Sequence, residues 1–135
     1  MKRTIDEQTL TSVLQHCRPA VRAALAEYVQ RMITEHAEEV VSIMLYGSQA
    51  RGEADDESDI DVFVIVRHNT PELYQALGQL AWEVQYKHGV VISDMIRDLD
   101  QFKLMQANRF PYYQSIEREG VVLWMSTSEL TPSSA

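Results

Sequence analysis

The run IDVFVIV, Ile60 to Val66, is apolar at every position but one. Seven such residues, most of them β-branched, form a strand with two apolar faces, and a strand of that kind has to be covered on both sides. The chain is thereby committed to a sheet with helices packed against it. The exception is Asp61, second in the run. It closes an acidic stretch with six Asp and Glu side chains in the nine positions from Glu53 to Asp61. A buried strand that begins in concentrated negative charge needs a physical reason for that charge.

The remaining elements follow from periodicity. Leu10, Val13, Leu14 and Cys17 have the i, i+3, i+4, i+7 spacing of a short amphipathic helix, with Asp6 placed to cap it. Pro19 opens a second helix whose apolar stripe is Val21, Ala24, Leu25, Tyr28, Val29 and Met32, ending near Glu38. VVSIMLY, Val40 to Tyr46, is short and β-branched and reads as a strand. GSQARGEADDES is a polar loop with room for a helical turn. Thr70-Pro71 starts a helix that buries Leu73, Ala76, Leu77, Leu80 and Val84 and stops at Gly89. VVISDMI, Val90 to Ile96, is a third strand. Asp98 to Glu119 is helical with a break at Pro111, and VVLW, Val121 to Trp124, adds an edge strand.

Two strands in series joined by only a loop call for a mixed sheet rather than a purely parallel one. The expected fold class is α/β (α+β), a small mixed sheet flanked by helices. With 135 residues there is one domain, residues 1–125. The Ser/Thr-rich tail, 126–135, is expected to be disordered.

Composition sets limits on function. The formal charge is −8, which excludes a basic surface that tracks nucleic-acid backbone. Cys17 is the single cysteine, so no internal disulfide forms, and it reads as a small core residue. MKRTIDEQTL lacks the apolar core of a signal peptide, and no apolar run is long enough to span a bilayer. The expected location is cytoplasmic, with no membrane association.

Asp59 and Asp61 stand two apart, so on a strand they leave the same face, with Cα atoms roughly 7 Å apart. Carboxylates that close raise each other's pKa unless a cation lies between them. Hard oxygen ligands on one face suit Mg²⁺, which keeps positions open for water and substrate phosphates. Glu53, Asp55, Asp56 and Glu57 fit a solvated loop equally well, but Asp61 does not, because it lies inside a strand. Upstream, Gly47-Ser48 follows a strand end. Glycine permits a tight turn and close backbone approach, and the serine hydroxyl with nearby amides can hold phosphate oxygens.

At these residues the chain resembles the nucleotidyltransferase superfamily related to DNA polymerase β. Gly47-Ser48, Ala50-Arg51-Gly52 and Ser58-Asp59-Ile60-Asp61 are similar to the pattern of its smallest branch, the minimal nucleotidyltransferases. IEREGVVLW, Ile116 to Trp124, looks like the usual end of these domains. The resemblance implies two-metal nucleotidyl transfer from ATP. Asp59, Asp61 and a third carboxylate on a later strand would hold two Mg²⁺ ions, and Gly47 and Ser48 would grip the triphosphate. The best match for the third carboxylate is Asp94, with Asp98 and Asp100 competing. Arg51 pairs either with a phosphate or with the acidic loop; Ser58 binds nucleotide or caps the turn.

Larger members carry a helical domain that binds the acceptor, and here no residues are left over for one. The resemblance therefore implies that another chain supplies the acceptor. In the minimal branch this is the antitoxin of a toxin–antitoxin pair, which transfers AMP to a tyrosine of a HEPN-type ribonuclease toxin. Two rival readings remain: an antitoxin that acts by contact alone, and a subunit of a small-molecule, antibiotic-type nucleotidyltransferase. RFPYYQSI, Arg109 to Ile116, is read as a helix packing Tyr112, Tyr113 and Ile116 on the sheet, against the alternative of a docking patch. Trp82 and Tyr86, off the main stripe of their helix, are candidates for an exposed contact.

Overall fold

The computed structural model describes residues 2–3, 12, 14–55 and 59–126. Its elements in chain order are β1 (Lys2–Arg3), α1 (Pro19–Glu35), β2 (Val40–Tyr46), α2 (Gly47–Arg51), β3 (Ile60–Val66), α3 (Pro71–His88), β4 (Ile92–Asp98), α4 (Leu99–Ala107), α5 (Pro111–Glu119) and β5 (Val121–Ser126). The strands form one sheet in the order β1-β5-β2-β3-β4. β2 is antiparallel to both β3 and β5, β5 is antiparallel to β1, and β3 is parallel to β4. The sheet is mixed, as the short β2–β3 connection requires. The parallel pair is joined by the crossover helix α3, which such a pair needs.

Strand β3 sits between two neighbours and between two helical layers, which explains its composition. Ile60, Val62, Val64 and Val66 alternate onto one face, where they join Val21, Leu25, Tyr28 and Met32 of α1 and Leu77, Leu80 and Val84 of α3. Phe63 and Ile65 point the other way, into a smaller cluster with Val41, Met105 of α4, and Tyr113 and Ile116 of α5. Asp61 belongs to this second face by the same alternation. The aromatic segment is therefore a packing helix: Tyr113 and Ile116 are buried against the sheet, and Tyr112 packs beside Phe63 and Tyr46.

The boundaries follow local chemistry. Pro at the first position begins α1, α3 and α5. The Thr70 hydroxyl accepts the Leu73 amide at 3.1 Å and caps α3. Asp98 and Gln101 form a capping box at the start of α4. Helix α1 ends at Glu35, short of Glu38, because the 36–39 turn feeds directly into β2.

Strand β4 runs from Ile92 to Asp98, not from Val90 to Ile96. The Val90 amide still bonds back to Gln85, while pairing with β3 fixes Ile60↔Ile92 through Val66↔Asp98. Strand β5 extends to Ser126, and β1 pairs on its outer side. Most of the expected helix around Leu10 to Cys17, and the tail beyond Ser126, lie outside the described residues; Cys17 itself is buried in the main core.

Candidate functional site

Strand β2 ends at Tyr46, which lies opposite Asp61 across the antiparallel pair. The chain then turns through Gly47, whose φ of +76° belongs to the left-handed region. A β-carbon at this position would collide with the Asp61 carboxylate. Glycine is thus needed twice over, for the turn and for the close approach. Ser48 and the buried Gln49 follow in the single turn of α2, which Gly52 closes.

Asp59 lies immediately before β3. Its Oδ2 accepts a hydrogen bond from the Ser93 hydroxyl on β4, at 3.1 Å. Ser93 stands in register with Asp61, so Gly47, Asp59, Asp61 and Ser93 converge at one end of the sheet. Partial burial holds the Asp61 carboxyl above its usual range, and the neighbouring charge of Asp59 adds to this, partly offset by Arg51. Two carboxylates at the mouth of a strand, one of them reluctant to ionise, form a place where a cation is electrostatically welcome.

The structure does not bring Asp94 to this pair. It stands in register with Val62, on the opposite face of the sheet, where its carboxylate accepts the Tyr28 hydroxyl of α1 at 3.0 Å. The expectation that Asp94 is the third metal carboxylate is corrected on this geometry. Strand periodicity is two, so a shift of one residue moves a side chain to the other side. Ser93 occupies the place opposite Asp61 instead. The signal that identifies it is the β3–β4 register, which the apolar pattern VVISDMI leaves undetermined.

The competing carboxylates go elsewhere as well. Asp98 caps α4, and Asp100 lies in the first turn of that helix. Arg51 resolves toward acidic partners: its Nε donates to Glu53 at 2.8 Å and its NH1 to Glu119 of α5 at 3.0 Å. Ser58 lies outside the described residues. Tyr46 and Tyr112 join hydroxyl to hydroxyl beside this end of the sheet, and burial raises the pKa of both.

Among the described residues no three His, Cys, Asp or Glu side chains gather as a ready-made metal cage. Two carboxylates and a hydroxyl still fit the donor chemistry of Mg²⁺. That ion is commonly held by one or two carboxylates, with water and substrate phosphates completing its shell. The raised Asp61 carboxyl is the observation on which this fit rests, since a divalent cation would relieve both of its causes.

Comparison with known proteins agrees with this geometry. Residues 25–120 match the family described as "Nucleotidyltransferase domain". The chain is 28% identical over 108 residues to "Putative protein adenylyltransferase MJ1305" of Methanocaldococcus jannaschii, covering 77% of this chain and 65% of that protein, just under two thirds of its length. It is 26% identical to "Putative protein adenylyltransferase MJ0604" of the same organism, covering 75% of this chain and 95% of the relative.

Among solved structures, one chain from a toxin-antitoxin crystallised with AMP-PNP superposes with a TM-score of 0.50 at 18% identity, covering 76% of this chain and 74% of the other. A chain from a mutant of the toxin-antitoxin MntA-HpeT gives 0.50 at 16%, covering 75% and 73%. At such identities the likeness is one of fold. The match over residues 25–120 includes every converging residue of the site, and on it the chain belongs to the nucleotidyltransferase domain family.

Proposed function

We propose that this protein transfers AMP from ATP to a hydroxyl of a partner protein, and that the partner is a HEPN-type ribonuclease toxin modified on a tyrosine. One observation carries the chemical part: Asp59 and Asp61 leave one strand mouth directly beside the Gly47-Ser48 turn. Carboxylates next to an open glycine turn form a site for a metal-bound triphosphate. The relatives named as protein adenylyltransferases support a protein acceptor, and the toxin-antitoxin complexes of like fold support a toxin as that protein.

In this reading Asp59 and Asp61 hold Mg²⁺, with a second ion shared with the nucleotide. Bound Mg²⁺ supplies Lewis-acid polarisation of the α-phosphoryl group and lowers the pKa of the acceptor hydroxyl. Gly47 leaves room for the triphosphate, and Ser48 presents a hydroxyl to it. Ser93 holds one Asp59 oxygen, which leaves the other directed at the cation. Arg51 fastens α2 to α5 through Glu119 and so steadies the Gly47-Ser48 turn. The acceptor oxygen bonds to the α-phosphorus as the bond to pyrophosphate breaks. The acidic charge of the chain suits a basic, RNA-binding partner, since complementary charge speeds encounter.

A second reading has its own observation. With Ser93 where a third carboxylate was expected, the site is leaner in charge, and neutralisation by contact alone becomes the competing account. Incubation with labelled ATP, Mg²⁺ and the product of the neighbouring gene separates the two. Label on the partner supports transfer; loss of toxicity with no label supports contact.

A further inference from the structure

Helix α3 carries on its outer face a row of residues that neither the sheet nor the site uses. Tyr74, Gly78, Trp82 and Tyr86 recur at every fourth position, and the three aromatic residues are 59%, 55% and 79% exposed. The Trp82 and Tyr86 rings stack with centroids 5.4 Å apart and planes within 10° of each other, a flat apolar plate facing water. Large aromatics grouped in this way mark a contact surface.

Gly78 is a separate clue. Glycine inside a helix costs about 0.5–1 kcal/mol relative to alanine, and a β-carbon at residue 78 would meet nothing within 4 Å in this chain. No neighbour in the fold requires the absent side chain. A notch in the helix surface serves something that approaches from outside.

The row is complementary to its own reverse. Turned end for end about residue 80, Tyr74 exchanges with Tyr86 and Gly78 with Trp82. Two copies of α3 laid antiparallel would set each Trp82 at the other's Gly78 notch and each Tyr74 beside the other's Tyr86. Residues four apart form the ridges that interdigitate in the commonest helix pairing, at a crossing near −50°. The charges agree with the antiparallel sense: Glu72 lies in the first turn of α3, and Lys87 and His88 lie in the last. Each acidic end then faces a basic end, and the helix dipoles oppose. The net charge of −8 resists association at a distance only, since screening at physiological salt acts within about 8 Å.

We propose that this face of α3 is an isologous interface through which two copies of the chain pair about a two-fold axis. It lies on the helical layer opposite the face that carries Asp61, so pairing leaves the nucleotide site open and stands independently of the transfer reading.

Sedimentation equilibrium of the full chain, from micromolar to several hundred micromolar, tests it. The expected result is a mass rising toward twice the 15.5 kDa of one chain. Trp82→Ala should weaken the association by at least about tenfold, as loss of a central aromatic anchor does. Gly78→Gln should give a monomer whose helical circular dichroism equals or exceeds that of the wild type, because glutamine is the better helix former. A wild-type protein that stays monomeric throughout overturns the proposal and leaves the row to a partner of different sequence. A wild-type dimer that survives both substitutions places the interface elsewhere and overturns it equally.

Discussion

Gly47 and Asp61 are packed so closely that residue 47 has no room for a side chain. The turn that ends β2 and the carboxylate near the start of β3 are thus one structural unit, held together by the pairing of Tyr46 with Asp61. Whatever moves the turn moves the carboxylate.

Gly47→Ala tests that unit. The left-handed backbone alone costs a non-glycine residue about 1–2 kcal/mol, and the clash with the carboxylate adds to it. Denaturant unfolding should show a loss of at least this size with an unchanged m-value, together with loss of nucleotide transfer. Wild-type stability would show that the turn relaxes freely and does not position Asp61.

Asp61→Asn should separate stability from function. Burial and Asp59 hold the folded carboxyl above its unfolded pKa. Such a group contributes stability that is full below its unfolded pKa, about 3.9, and is lost as pH rises through the folded value. Removing the charge should therefore raise the stability of the metal-free protein at pH 7, by less than about 1 kcal/mol because the group is partly open to water. The gain should fade as pH falls toward 4. Transfer should be abolished. Thermal melts across this pH range, paired with a labelled-ATP assay, check both halves.

Ser93→Ala removes the hydroxyl that holds Asp59. Mn²⁺ titration followed by electron paramagnetic resonance should show affinity falling by up to about tenfold, the lower end of what losing an orienting partner costs a metal site. Ser93→Thr should restore most of it. A purely structural serine would leave Mn²⁺ affinity untouched.

Tyr28→Phe strands the Asp94 carboxylate in the core. Tyr28 is fully buried and its hydroxyl is the partner seen for that carboxylate, so the expected cost is about 1–3 kcal/mol. Asp94→Asn should retain Mn²⁺ affinity, since Asp94 lies across the sheet from Asp61. A large loss of Mn²⁺ binding in Asp94→Asn would return that residue to the metal site.

Much of this molecule was legible in its sequence because local signals were strong. Thr70-Pro71 and Gly89 delimit α3, and the unbroken apolar run of β3 marks a strand covered twice. The Gly47-Ser48 turn and the Asp59-x-Asp61 pair announced their shared end of the sheet through spacing alone. The third position of the site did not show in this way. Which of Ser93 and Asp94 faces Asp61 depends on a register set by hydrogen bonding to a distant strand, and VVISDMI buries residues on both of its faces. The fate of Arg51 was equally hidden, because Glu119 reaches it across 68 residues of sequence. Long-range geometry decided both.

The central claim is that Asp59 and Asp61 together hold a divalent cation beside the Gly47-Ser48 turn. The most direct measurement is Mn²⁺ binding by electron paramagnetic resonance with a non-hydrolysable ATP analogue present, comparing the wild type with the Asp59→Asn/Asp61→Asn double variant. Saturable Mn²⁺ binding by the wild type, strengthened by the nucleotide and lost in the folded double variant, is the predicted result. Equal binding by the two proteins, or a wild type that takes up no Mn²⁺ with the nucleotide bound, would contradict it.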